Sequence, residues 1–131
     1  MPLVNVRTRF ALITAAVALA VACAGCGPGA PVGDIDKIHV VLSQFDISVT
    51  NTSGKALFEV KAEIEPTGPA THFTTIIPRM ENGERRVLAH NLFSDRDGVP
   101  FSARNVKAKQ VIVTAKDIDG KALKVDVPWK Q

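Results

Sequence analysis

Length, composition and charge indicate one domain of modest size and exclude some partner classes. The 131 residues hold 16 Lys and Arg against 13 Asp and Glu, a formal net charge of +3. Arg7 and Arg9 lie in an N-terminal segment that we expect to be removed, so the remaining balance is 14 to 13. Phosphate contacts need a clustered basic excess, which argues against a nucleic-acid partner. The only cysteines, Cys23 and Cys26, precede the domain, so it has no disulfide framework.

The first residues have the plan of a bacterial export signal. Arg7 and Arg9 precede an apolar run over 10–22, which small residues and two cysteines follow. The run is about 13 residues long, shorter than the roughly 20 that a transmembrane helix needs. We therefore expect a signal peptide over 1–22. Plain secretion, after the Ala-x-Ala site at 20–22, is the alternative.

The cysteines, preceded by small and aliphatic residues, resemble the lipobox of bacterial lipoproteins. The resemblance implies a covalent diacylglycerol or acyl lipid on the N-terminal cysteine, with no other cofactor. Cys23 is the favoured attachment site because residues 20–22 are all small and apolar, and Cys26 is the alternative. The Cys-x-x-Cys spacing is not read as a redox or zinc site, because no second pair or nearby histidine accompanies it. The implied location is the bacterial cell envelope, on the outer face of the inner membrane or in the outer membrane.

A glycine- and proline-rich segment separates the cysteines from the domain. Its sequence from Gly27 to Gly33 prevents a regular helix and offers few large apolar side chains to pack. We assign residues 23–33 to the lipid anchor and a flexible tether, and 34–131 to the domain.

The domain is dominated by a two-residue alternation of apolar and polar side chains, which is typical of half-buried strands. The clearest case puts Ala56, Phe58, Val60, Ala62 and Ile64 on one face. Turn residues punctuate the pattern at 51–54 and 78–83, and a longer loop is expected at 93–105. The fold class predicted is all-β, a seven-stranded immunoglobulin-like sandwich. The strands are expected near 38–43, 45–50, 56–65, 72–77, 85–92, 111–115 and 123–127.

The terminal hairpin allows a prediction of register. A two-residue turn would pair Val113 with Asp126 and so place an apolar residue opposite a charge. One more loop residue pairs Val113 with Val125 instead. We therefore predict a three-residue loop, Ile118-Asp119-Gly120, with Gly120 in the left-handed region as a G1-type bulge.

The segment from Phe45 to Leu57 is similar to the strand–turn–strand opening of bacterial immunoglobulin-like lipoprotein domains. In that family a polar Asn/Ser/Gly turn, here 51–54, joins two inner strands of the sandwich. The resemblance implies a fold and a cell-envelope role. It carries over no catalytic residues.

Catalytic and metal motifs are not found, so we expect no enzyme. The Asp-x-Asp-Gly stretches that begin at Asp95 and Asp117 lack the continuation of a calcium loop and are interpreted as turns. His39, His72 and His90 have no metal-ligand spacing. No catalytic, cofactor-binding or metal-binding residue is therefore assigned.

Charge is unevenly distributed along the sequence. Residues 34–84 hold eight acidic and four basic residues, whereas 101–131 hold seven basic and three acidic. The basic residues either form a patch for an anionic partner or interleave with the acidic half in the folded sheets. We expect a lipid-anchored, non-catalytic binding or assembly module whose partners are the membrane and an unknown envelope protein or polymer. The alternative is an exported accessory protein that binds calcium or a small ligand in the periplasm or at the cell surface. The seven basic residues are Arg104, Lys107, Lys109, Lys116, Lys121, Lys124 and Lys130.

Overall fold

The computed structural model describes residues 30–130, which form two antiparallel sheets packed as a β-sandwich. The predicted fold class is confirmed. The larger sheet has the strand order β1-β8-β7-β4-β5 and the smaller one β2-β3-β6. The strands are β1 (Val32–Gly33), β2 (Ile38–Leu42), β3 (Asp46–Asn51), β4 (Leu57–Pro66), β5 (Phe73–Met80), β6 (Arg85–Ala89), β7 (Ala108–Asp117) and β8 (Ala122–Pro128).

The core lies between the two sheets and is built from the inward positions of both. Ile47 and Val49 on β3 face Val60, Ala62 and the other inward residues of the larger sheet, and all four side chains are fully buried. The 51–54 turn joins β3 to β4, each an inner strand of its own sheet. The chain therefore crosses from one sheet to the other at this turn.

The connections fall at two ends of the sandwich, as the registers require. We call them the Trp129 end and the Asn51 end. The Trp129 end holds residues 30–31, 43–45, 67–72, 90–107 and 129–130. The Asn51 end holds 34–37, 52–56, 81–84 and 118–121.

Strand β4 contains a bulge that reverses the expected inward face at its start. Glu59 has φ 50°, and the registers to β5 and β7 both shift between Phe58 and Lys61. An inserted residue changes which side chains point inward. Leu57 is therefore buried, whereas Phe58 lies on the outer face beneath the Arg79 guanidinium. The prediction was wrong for Ala56 and Phe58 and right for Val60, Ala62 and Ile64.

Four other boundaries differ from expectation. Phe45 lies at an exposed two-residue turn rather than on the inward face of β3. Strand β5 continues to Met80, beyond the expected turn at Pro78. The strand expected over 85–92 ends at Ala89 and is followed by a 3₁₀ turn, His90–Leu92. The eighth strand, β1, comes from the end of the predicted tether.

That eighth strand consists of Val32 and Gly33, the last two residues of the segment predicted as a tether. Val32 pairs with Asp126 and Gly33 with Val125. Gly33 has φ 109°, and a Cβ there would meet the Lys124 carbonyl oxygen at 2.2 Å. Any residue with a Cβ would clash with the Lys124 carbonyl at this position. Glycine at position 33 therefore allows the chain to pair closely with β8.

The terminal hairpin has the predicted register. Val113 pairs with Val125, and Val111 with Val127. The Gly120 N–H donates to the Asp117 carbonyl, the Asp117 N–H donates to the Lys121 carbonyl, and Gly120 has φ 79°. The three-residue loop and the left-handed glycine are confirmed.

Candidate functional site

The four edge strands of the sandwich differ in how well they are protected against pairing with another chain. Strand β1 has only two residues, β5 carries Pro78 and Arg79, and β6 begins with two arginines. Proline, charge and short length are the usual means by which proteins block edge pairing. Strand β2, with the sequence Ile-His-Val-Val-Leu, has none of them.

The backbone of β2 directs polar groups away from the sheet. The Ser43 N–H donates to the Asp46 carbonyl, and the Thr52 N–H donates to the Lys37 carbonyl. Because hydrogen-bonding direction alternates along an antiparallel strand, Val40 and Leu42 point their N–H and C=O groups outward. Neither has a backbone hydrogen bond to another element within the described residues.

A groove of about 580 Å³ runs beside this edge. Val40, Val41 and Leu42 form one wall, and the end of β8 with Trp129 forms the other. Pro31 and Ala103 also line the groove. The groove therefore combines apolar side chains with the outward backbone groups of β2.

A cluster of aromatic side chains packs together at the Trp129 end. The Trp129 ring lies 5.7 Å from that of Phe101 and 5.3 Å from that of His90, and Phe101 packs edge-on against Phe73 at 5.3 Å. Burial lowers the pKa of His90 despite the opposing effect of Asp46. His90 Nε2 is buried and has no hydrogen-bond partner within residues 30–130. The imidazole therefore acts mainly as an aromatic packing surface.

The two aspartate motifs form matching turns. The Asp117 Oδ1 accepts the N–H groups of Asp119 and Lys121 at 2.9 and 2.8 Å. The Asp95 Oδ1 accepts those of Asp97 and Val99, both at 2.9 Å. Each leading carboxylate is thus occupied by its own backbone, as the turn interpretation predicts. Among residues 30–130, no group of three or more His, Cys, Asp or Glu is arranged to hold a metal ion.

The histidines lie apart on different elements. His39 is exposed on β2, and His72 contacts the Glu63 carboxylate on the outer face of the larger sheet. Burial raises the pKa of Glu63, but hydrogen bonds from His72 and Lys61 outweigh it and lower the pKa overall. This contact joins β4 to the end of the 67–72 connection and is not part of the groove.

The basic residues of the last strands interleave with the acidic half, the second of the two alternatives. The ammonium of Lys116 lies 3.0 Å from the Glu59 carboxylate, and that of Lys109 lies 3.8 Å from Glu65. These exposed pairs contribute little stability individually. They do place acidic side chains among the basic ones, so these lysines do not form a continuous basic patch.

The predicted lipid-attachment residues, Cys23 and its alternative Cys26, lie outside the described residues. The described part of the chain enters the fold at the Trp129 end, where Pro31 borders the groove. Within residues 30–130, no helix is long and apolar enough to cross a membrane.

Comparison with known proteins returns no match to a family model, a curated protein or a solved structure. The candidate site therefore depends on geometry alone. Sequence reasoning missed the groove, although one signal was available. The strand predicted over 38–43 has no charged or proline residue, which is the composition of an unprotected edge. The strands predicted over 72–77 and 111–115 share this composition, so it did not single out β2.

Proposed function

We propose that this protein is a lipid-anchored, non-catalytic module of the bacterial cell envelope that binds an extended segment of an envelope protein along β2. The single observation that supports binding is the unprotected edge of β2 beside an apolar groove. An added strand would satisfy the outward N–H and C=O groups of Val40 and Leu42, while its alternate side chains enter the groove. The anchor is the acylated Cys23, or Cys26.

A photo-crosslinker placed at Gln44 tests the binding site in intact membranes. Gln44 is exposed and lines the groove. We expect crosslinks from position 44 and none from a matched label at Asn82, which is exposed at the Asn51 end. Equal labelling from both positions would argue for random collision.

Two variants at Val40 separate backbone pairing from side-chain packing. Val40→Pro removes the outward N–H without touching a hydrogen bond to β3, whereas Val40→Ala keeps that N–H and shortens the side chain. Crosslinking from position 44 should be lost in the first variant and mostly retained in the second. Retention in Val40→Pro would contradict strand addition. Mass spectrometry of the mature N-terminus tests the anchor independently, and an unmodified N-terminus would refute it.

A small apolar ligand in the same groove is the second candidate. The volume of about 580 Å³ falls within the range of roughly 300–1,000 Å³ typical of ligand sites. A ligand bound only to the native state must raise Tm. Solvent extraction of the purified protein followed by mass spectrometry would identify such a ligand. Calcium at millimolar concentration should leave Tm unchanged, because Asp95 and Asp117 are occupied by their own turns.

A further inference from the structure

We propose that the Trp129 end docks on an anionic lipid surface, with Phe45 and Leu92 entering the membrane interface. The inference rests on the proposed lipid anchoring and deepens it. A tether alone would leave the domain free to rotate, whereas docking fixes which end faces the bilayer. Three independent features of the described residues support it.

The first feature is an apolar tip at this end. Phe45 is 72% exposed, the largest value for a big apolar side chain among residues 30–130, and Leu92 is 55% exposed. The His90 N–H donates to the Phe45 carbonyl at 3.1 Å, so the β2–β3 turn and the 3₁₀ turn are adjacent. Trp129 is half-buried nearby, as aromatic residues often are at membrane interfaces.

The second feature is the place where the N-terminal segment joins the domain. Pro31 lies at the Trp129 end, and Cys23 precedes it by eight residues. Even fully extended, eight residues span at most about 28 Å, at roughly 3.5 Å per residue. An acylated Cys23 therefore keeps this end close to the bilayer and gives it a high effective concentration there.

The third feature is charge. The connections at the Trp129 end hold four basic and two acidic residues, whereas those at the Asn51 end hold three basic and five acidic. A negatively charged lipid surface attracts the first end and repels the second. The basic residues at the Trp129 end are Arg96, Arg104, Lys107 and Lys130.

The single tryptophan makes the orientation measurable. The full chain, purified from membranes, is reconstituted in phosphatidylcholine vesicles with or without phosphatidylglycerol, and fluorescence quenching by brominated lipid is recorded. Trp129 in the unaltered chain should be quenched, and more strongly in the anionic vesicles. In two further variants, Trp129→Phe is combined with either Phe45→Trp or Ile118→Trp. Ile118 is 67% exposed at the Asn51 end.

The two positions give opposite expectations. Side chains at the interface lie within ~5–10 Å of the acyl boundary, so Phe45→Trp should be quenched at least about threefold more than Ile118→Trp. Equal quenching, or an unquenched Trp129 in the unaltered chain, would overturn the docking. If Trp129→Phe does not fold, the unaltered chain alone decides.

The experiment also separates docking from anchoring. Vesicle pelleting without quenching at position 45 overturns docking and leaves the anchor intact. An unacylated N-terminus with quenching at position 45 refutes the anchor and supports docking by the surface itself. Neither pelleting nor quenching overturns both.

Discussion

Asn51 is the polar centre of the crossover between the sheets, and replacing it by alanine should destabilise the protein strongly. Its side chain is fully buried. The Nδ2 group donates to the carbonyls of Lys55 at 2.7 Å and Met80 at 3.2 Å, while Oδ1 accepts the Ser53 N–H at 3.0 Å and the Ser53 hydroxyl at 2.7 Å. All of its hydrogen-bonding atoms are therefore used.

The magnitude follows from what Asn51→Ala leaves behind. Each lost hydrogen bond costs about 0.5–1.5 kcal/mol net, and a buried group left without a partner costs about 1–3 kcal/mol. The Ser53 groups can turn to water, but the buried bond to the Met80 carbonyl cannot be replaced so easily. We expect a loss of about 3 kcal/mol in the free energy of unfolding, which lowers Tm by about 12–24 °C in a domain of this size.

Urea unfolding followed by Trp129 fluorescence measures this loss. Thr52→Ala is the matched control, because its exposed hydroxyl makes one bond, to the Asp36 carbonyl at 2.9 Å. The control should cost less than about 1 kcal/mol. Asn51→Asp should place a carboxylate against the two carbonyl oxygens, which disfavours the ionised form of the aspartate. The difference in unfolding free energy between this variant and the wild type should therefore become smaller as pH falls from 7 to 4. A loss below about 1 kcal/mol in Asn51→Ala would refute the reasoning.

Three other changes have expected outcomes. Phe93 is fully buried and fixes the long 90–107 connection to the core, so Phe93→Ala should cost about 3–5 kcal/mol in urea unfolding. Gly120→Ala meets no atom within 4 Å but must adopt φ 79°, so it should cost about 1–2 kcal/mol from backbone strain, and a neutral result would contradict the bulge. Burial lowers the native pKa of His90 below its unfolded value, so the unfolded state binds the proton first as pH falls below about 6.5. The free energy of unfolding should therefore fall less between pH 7.5 and 5.5 in His90→Phe than in the wild type. An equal fall in both proteins would mean that other titrating groups cause it.

How far the sequence predicts the fold depends on whether the two-residue alternation is interrupted. It runs unbroken over 111–115 in β7 and over 123–127 in β8, and there the faces and register were predicted correctly. In β4 the bulge at Glu59 shifts the pattern by one residue, and nothing in an exposed glutamate between apolar neighbours signals a positive φ. Phe45 was misplaced because the tight turn between Ser43 and Asp46 ends one residue later than the alternation suggests, so β3 begins at Asp46.

The candidate site was harder to predict because its walls are distant in sequence. Val40 and Trp129 are brought together only by the packing of two sheets, and no local motif records that contact. The Asp117 motif is a contrasting case. Its turn is made within five residues, so composition and spacing were sufficient to predict it.

The short β1 strand gives the molecule a mechanical property. A pull directed along β1 toward the Trp129 end loads the pairing with β8 in shear, together with the Asp34 bonds to Lys124 at 2.9 and 3.0 Å. Two paired residues should yield before the ten-residue strands β4 and β7. Release of residues 32–37 would then add about 20 Å of chain, at roughly 3.3 Å per residue, while the core stays folded. In the proposed anchored state, this released chain would let the domain move relative to the bilayer without unfolding of its core.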